Sequence, residues 1–145
     1  GVENAKNEFS IIGKWLKQGG VDGYILETMN NINHPCIGIN FDTANVHYHT
    51  NRKIDTVDEI QKVLDYIKAV HLKDTMGGYH AWNFPTLGEG IVDFEAVFEL
   101  LNSRGFEGPF TMELEGIEGE NIDRAGILNR VEDSFQYLKD LGIIH

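Results

Sequence analysis

Three short runs of this chain share a pattern that few folds accept. In IGINFD, Ile37, Ile39 and Phe41 alternate with Gly38, Asn40 and Asp42. In KAVHLKD, Val70 and Leu72 alternate with Ala69, His71 and Lys73, and in PFTMELE, Phe110, Met112 and Leu114 alternate with Thr111, Glu113 and Glu115. Residues two apart share a face of a strand, so each run predicts a strand with one apolar face and one small or polar face. A doubly wound open sheet is covered by helices on both faces, and its buried strands are apolar throughout. A (β/α) barrel meets helices only on its outer face, and its interior accepts polar side chains toward the C-terminal strand ends, where the active sites of that fold lie. The pattern therefore predicts an α/β chain of the (β/α) TIM-barrel type, with Asp42, His71 and Glu113 gathered at one mouth.

The segments between these strands read as helices. Glu8 to Lys17 and Val21 to Ile32 carry apolar residues at helical spacing. In DTVDEIQKVLDYI, Ile60, Val63, Leu64 and Ile67 fall on one helical face, with Asp55 or Thr56 as the N-cap. DFEAVFELLNSRG predicts a helix starting near Asp93 and closing with Gly105 at C′, and Asn129 to Leu141 predicts the last helix. The loop after KAVHLKD runs to roughly 18 residues, far above the usual 2–6 of a βα connection, which marks it as functional. Strand and helix alternate without an internal linker, so residues 1–145 are expected to form a single half-barrel of about four βα units. A complete (β/α)8 barrel takes ~250 residues. Half of one leaves a sheet edge and an apolar helix flank uncovered, which implies self-association or a missing N-terminal half.

Charge narrows the partners. The chain carries 23 acidic and 12 basic residues, a net charge of −11, and such a surface repels phosphate backbones, so no nucleic-acid partner is expected. No apolar run approaches the ~18 residues of a membrane span, and GVENAKNEF lacks the basic and apolar regions of a secretion signal. The single cysteine, Cys36, rules out an internal disulfide and fits a reducing, cytoplasmic setting.

Taken singly, a strand-end aspartate serves as a loop anchor and an inward histidine as a hydrogen-bonded core residue. Their joint occurrence with a glutamate on three successive strands is what a divalent cation requires. Carboxylate oxygens and a neutral imidazole suit Mn²⁺, Co²⁺ or Zn²⁺, or Mg²⁺ where more oxygen donors are available.

The motifs FDTAN, VHLKDT and LGEGIVDFEAVFELLNSRGFEGPFTMELE resemble the C-terminal half of the xylose-isomerase-like TIM barrels. That superfamily includes sugar and sugar-phosphate isomerases, ketose 3-epimerases, inosose dehydratases and apurinic endonucleases. The resemblance implies one divalent metal ion held by Asp42, His71 and Glu113, with a fourth ligand, Glu3, from the VEN motif near the start. It also implies that Glu3 and Glu113 flank the carbon being epimerised, one removing its proton and the other returning it through an enediolate. Where the superfamily often has histidine three residues after the metal aspartate, this chain has Asn45, and His47 stands nearby. Lys73, His80, Trp82 and Glu115 complete the expected contacts to a small-molecule sugar or sugar phosphate. By an ungapped count back from LGEG, the extra zinc ligands of the apurinic endonucleases fall on Trp82 and Phe84, which cannot ligate zinc.

Two functions fit this reading. One is a divalent-metal-dependent sugar isomerase or epimerase, with an inosose-type dehydratase as its close enzymatic alternative. The other is a non-catalytic half-barrel or binding module that retains the metal ligands.

Overall fold

A computed structural model describes residues 24–51 and 53–144. Glu3, the expected helix at Glu8 to Lys17 and the first residues of the next one lie outside them. The described chain opens with helix α1 (Tyr24–Ile32) and strand β1 (Ile39–Asp42). Helices α2 (Asn45–His49) and α3 (Thr56–Val63) and a 3₁₀ turn (Leu64–Tyr66) lead to β2 (Ile67–Leu72). Then come β3 (Asn83–Phe84), α4 (Phe94–Ser103), β4 (Phe110–Met112), β5 (Gly116–Ile117) and α5 (Arg124–Asp140).

Strands β1, β2 and β4 form a parallel sheet in that order, with Asp42 opposite His71 and Leu72 opposite Met112. Parallel neighbours need a crossover, and here helices supply it: α2 and α3 between β1 and β2, and α4 between β2 and β4. The order is that of consecutive βα units in a barrel wall, as the alternation in the sequence predicts.

Helix α3 buries Thr56, Glu59, Ile60 and Val63, and α4 buries Phe94, Val97, Phe98 and Leu101. Both sets follow the i, i+3, i+4, i+7 spacing of one helical face. Their apolar members, Ile60 and Val63 with Phe94, Val97, Phe98 and Leu101, pack with Val70 and Leu72 of β2 into the core. Asp55 caps α3 by accepting from the Val57 and Asp58 amides, and Asp93 caps α4 by accepting from Ala96. At the other end of α4, Gly105 adopts φ +65°, while its amide bonds Asn102 O and that of Phe106 bonds Leu101 O. That is a Schellman closure, which needs a left-handed C′ residue and so favours glycine.

Several elements depart from the sequence reading: β2 already begins at Ile67, which the spacing predicts on a helical face, and β4 ends at Met112, so that Glu113 and Glu115 lie past the strand. The first strand starts at Ile39, leaving Ile37 exposed, and its pairing with β2 is irregular between Ile39 and Asn40; a Cβ at Gly38 would lie 2.1 Å from Lys68 Cγ and 2.8 Å from Tyr66 O, so only glycine fits there. Helix α5 begins at Arg124 rather than near Asn129, capped by Asp123 accepting from Gly126. Its first turns carry Ile127, Leu128 and Val131 exposed, so apolar periodicity did not mark the start. The long loop also holds structure of its own: β3 pairs antiparallel with β5, Phe84 opposite Gly116.

Candidate metal centre

Asp42 ends β1, His71 lies one residue before the end of β2, and Glu113 directly follows β4. The register of the parallel sheet pairs Asp42 with His71 and His71 with Thr111, so Glu113, two residues beyond Thr111, shares their face one step further toward the C-terminal ends, its amide bonding Leu72 O. One ligand atom from each lies within 4.8 Å of the others.

The bonds around Asp42 divide its two oxygens. Oδ1 accepts from the amides of Ala44 (2.9 Å) and Asn45 (2.8 Å), which fixes the carboxylate plane. Oδ2 is buried and has no hydrogen-bond donor among the described residues, and the Lys73 ammonium lies 3.7 Å from it. A buried carboxylate oxygen with no donor is costly in isolation, and a cation would satisfy it. Burial pushes the Asp42 carboxyl above its ordinary range and the Glu113 charge adds to this, against the pull of the Asn45 and Ala44 amides and of Lys73.

Glu113 is held at both oxygens. Oε2 lies 2.5 Å from His71 Nδ1 and Oε1 accepts from Lys73 Nζ at 3.1 Å. Burial raises its carboxyl, but the bonds and charges of Lys73 and His71 outweigh that and leave it below the ordinary carboxylate range. A base at this position is therefore ionised at neutral pH.

Lys73 is the organising cation. Its side chain is almost wholly buried, and Nζ reaches Glu113, Glu115, Asp42 and, at 3.4 Å, Asn45 Oδ1. Nζ also sits 4.3 Å from the centre of the Phe84 ring. Desolvation works to lower the Lys73 ammonium, yet Glu115, Asp42 and Glu113 together hold it above the usual value. The backbone carrying it is locked by Thr43, whose hydroxyl donates to Lys73 O (2.6 Å) and accepts from Lys73 N (3.0 Å). This hydroxyl rivets the ends of β1 and β2 together, a role that no local pattern around Thr43 displays.

The remaining expected residues divide. Asn45 and Glu115 join the cluster through Lys73. His47 instead turns to α3, its Nε2 2.9 Å from Thr56 Oγ1, where burial lowers its imidazole against the carboxylates of Asp55, Asp74 and Glu59. His80 and Trp82 form an aromatic wall: His80 stacks on Tyr79 (4.0 Å) and Tyr48 (5.3 Å), and Trp82 packs edge-on against Phe84 (5.2 Å). Phe84 links this wall to Lys73. Tyr48 and Phe84 belong to it as well, although the sequence reading did not single them out as site residues.

The sequence profile of the xylose isomerase-like TIM barrels matches residues 13–141. The chain belongs to this family. Over 90 residues, 62% of the chain, it is 39% identical to L-ribulose-5-phosphate 3-epimerase UlaE of Salmonella typhi. That match covers 30% of the relative, so the chain spans under a third of the length of the curated relatives it matches. A xylose isomerase domain protein of Planctomyces limnophilus superposes with a TM-score of 0.65 at 26% identity, over 81% of this chain and 42% of that one. A zinc-bound IOLI protein superposes at 0.59 with 18% identity, over 79% of this chain and 41% of that one, a likeness of fold alone. As a member of this family the chain carries a carboxylate–histidine cluster at the C-terminal ends of its parallel strands, where TIM barrels keep their active sites.

Proposed function

We propose that this xylose isomerase-like chain forms the metal-binding part of a 3-epimerase or isomerase acting on a ketose or ketose phosphate. Asp42, His71 and Glu113 hold one divalent cation, joined by Glu3. The observation that carries the reading is Asp42 Oδ2, a buried oxygen without a donor among the described residues, beside an imidazole and a second carboxylate. The donor set of carboxylate oxygens and imidazole nitrogen fits Mn²⁺, Co²⁺ or Zn²⁺, and Mg²⁺ with further oxygen ligands. The cation would polarise the substrate carbonyl and so acidify the neighbouring C–H.

The chain's own groups do the rest. Glu113, ionised at neutral pH, takes or returns the proton on one face of the carbon, and Glu3 serves the other. Lys73 holds Glu113 in place and offers a positive charge near the developing enediolate. The aromatic wall of Tyr48, His80 and Trp82 covers the apolar face of a sugar ring or chain. The names of the relatives support a sugar as the substrate class, and the net charge of −11 supports a small molecule over nucleic acid.

Calorimetric titration of the metal-stripped chain with Mn²⁺, with Asp42→Asn beside it, tests the centre. One site in the wild type, lost in the variant, is the expected result, and no binding in either sinks the centre in this chain. Turnover in D₂O tests the chemistry: product that retains the substrate hydrogen at the epimerised carbon would refute carboxylate proton transfer. A binding module that keeps the cation but turns over no ketose is the second reading, favoured by the 30% coverage of the relatives.

A further inference from the structure

His71 is engaged at both ring nitrogens, and only one of its partners belongs to the cation cluster. Nδ1 faces Glu113 Oε2 at 2.5 Å. Nε2 lies 2.9 Å from the side-chain amide nitrogen of Asn40. Asn40 sits two residues before Asp42 on β1 and so shares its face of the sheet. In this arrangement the amide N–H donates to Nε2, so the ring proton is on Nδ1 and is donated to Glu113.

That tautomer cannot bind a cation at Nδ1, because the proton occupies the lone pair. To ligate there, the proton must sit on Nε2, and Nε2 then needs an acceptor. Few side chains can serve both forms. A primary amide can: a half-turn about its terminal torsion exchanges N–H donor for C=O acceptor in the same place, at no cost in shape. A leucine offers neither, and a carboxylate offers only the acceptor.

We propose that Asn40 is a positioning residue that sets the tautomer of His71, donating to Nε2 when Nδ1–H bonds Glu113 and accepting from Nε2–H when Nδ1 takes the cation. The inference rests on the metal reading for its second half only. Its first half, that the amide governs where the ring proton lies, holds with or without a metal. Outer partners of ligating histidines commonly alter metal affinity by ~10–100-fold when removed. His71 and Asn40 are both reached by solvent, which puts the expected effect near the lower end, about tenfold.

The test uses the full chain, with ¹⁵N-labelled histidine and the imidazole shifts of His71 read by NMR. In metal-stripped wild type the proton is expected on Nδ1, and Zn²⁺ (diamagnetic) should move it to Nε2. In Asn40→Asp, Nε2 should carry a proton before any metal is added, even while Nδ1–H still bonds Glu113. Mn²⁺ titration should then show Asn40→Leu binding about tenfold more weakly than wild type, with Asn40→Asp at least as tight as wild type. An Nε2 still without a proton in metal-stripped Asn40→Asp would overturn the role of Asn40. So would equal losses of affinity in the two variants, the mark of a merely structural side chain. If wild type binds neither metal, the centre itself fails, and the tautomer comparison between metal-stripped wild type and Asn40→Asp still decides the role of Asn40.

Discussion

At the residue scale, Asp42 and Glu113 are tuned in opposite directions although they share one cluster. For Asp42 burial dominates, so the folded protein holds that proton more tightly than the unfolded chain does. Its contribution to stability is then greatest below the ordinary aspartate range and is lost as pH rises through the raised folded value. At neutral pH, without metal, the ionised Asp42 is a strained group. Asp42→Asn keeps an oxygen to accept from Ala44 and Asn45 and removes the charge. It should therefore stabilise the metal-stripped chain by on the order of 1 kcal/mol at neutral pH, with the gain fading in acid. Urea midpoints in EDTA at neutral and acidic pH check this, and a variant less stable than wild type at neutral pH would mean that attraction to Lys73 outweighs burial. Glu113, held low, has the reverse sign: its stabilisation is present above the ordinary glutamate range and is lost as pH falls through the lowered folded value. The triad itself was legible in the sequence, because period-two alternation fixes which side chains share a face. What Lys73 and Asn40 do was not, since both depend on cross-strand neighbours that only the register brings together.

At the scale of elements, the long connection from Lys73 to Asp93 is organised by one buried carboxylate. Asp74 accepts from the amides of Thr75 and Val92 at Oδ1 and from those of Gly88 and Gly90 at Oδ2, with distances of 2.8 to 3.2 Å. Four chain amides thus converge on one side chain, which folds the LGEG segment back toward the end of β2 and delivers Asp93 to cap α4. The sequence marked this connection as unusual by its length. It gave no sign of the β3–β5 pairing, because two residues are too few to display a period. Gly90 shows why the approach is tight: a Cβ there would lie 2.2 Å from Asp74 Oδ1 and 2.4 Å from Thr75 O. Gly90→Ala must push the loop off the carboxylate, at a cost of about 3 kcal/mol from overpacking and weakened hydrogen bonds. Asp74→Asn, which turns one acceptor into a donor facing two amides, should cost a similar ~2–3 kcal/mol. Chemical denaturation measures both, and a loss below about 0.5 kcal/mol, the range of a neutral surface change, would refute the organising role.

At the scale of the whole molecule, the described strands cover only part of a barrel wall, and the uncovered part is apolar. Among the described residues, strand β4 lies at one end of its sheet and pairs with β2 alone. Beyond it, Phe110 is partly exposed, and α5 presents Ile127, Leu128, Val131 and Phe135 to solvent. A groove between α4 and α5 runs from Leu72 and Met112 to Leu138 and continues this surface. Large contiguous apolar patches and open strand edges draw partners, whether further βα units or second copies. The 145-residue chain by itself is therefore expected to self-associate through β4 and α5, and the proposal that residues 1–145 form one half-barrel depends on that face being the one that closes. Sedimentation velocity should show a coefficient that rises with loading from the low micromolar range upward. The double variant Leu128→Lys, Val131→Lys changes two exposed side chains, so it should leave the fold intact within about 1 kcal/mol while removing the association. A wild-type chain that stays monomeric to about 100 μM would show that its exposed face does not drive closure. Association that survives the double variant would move the interface to another surface and leave α5 without that role.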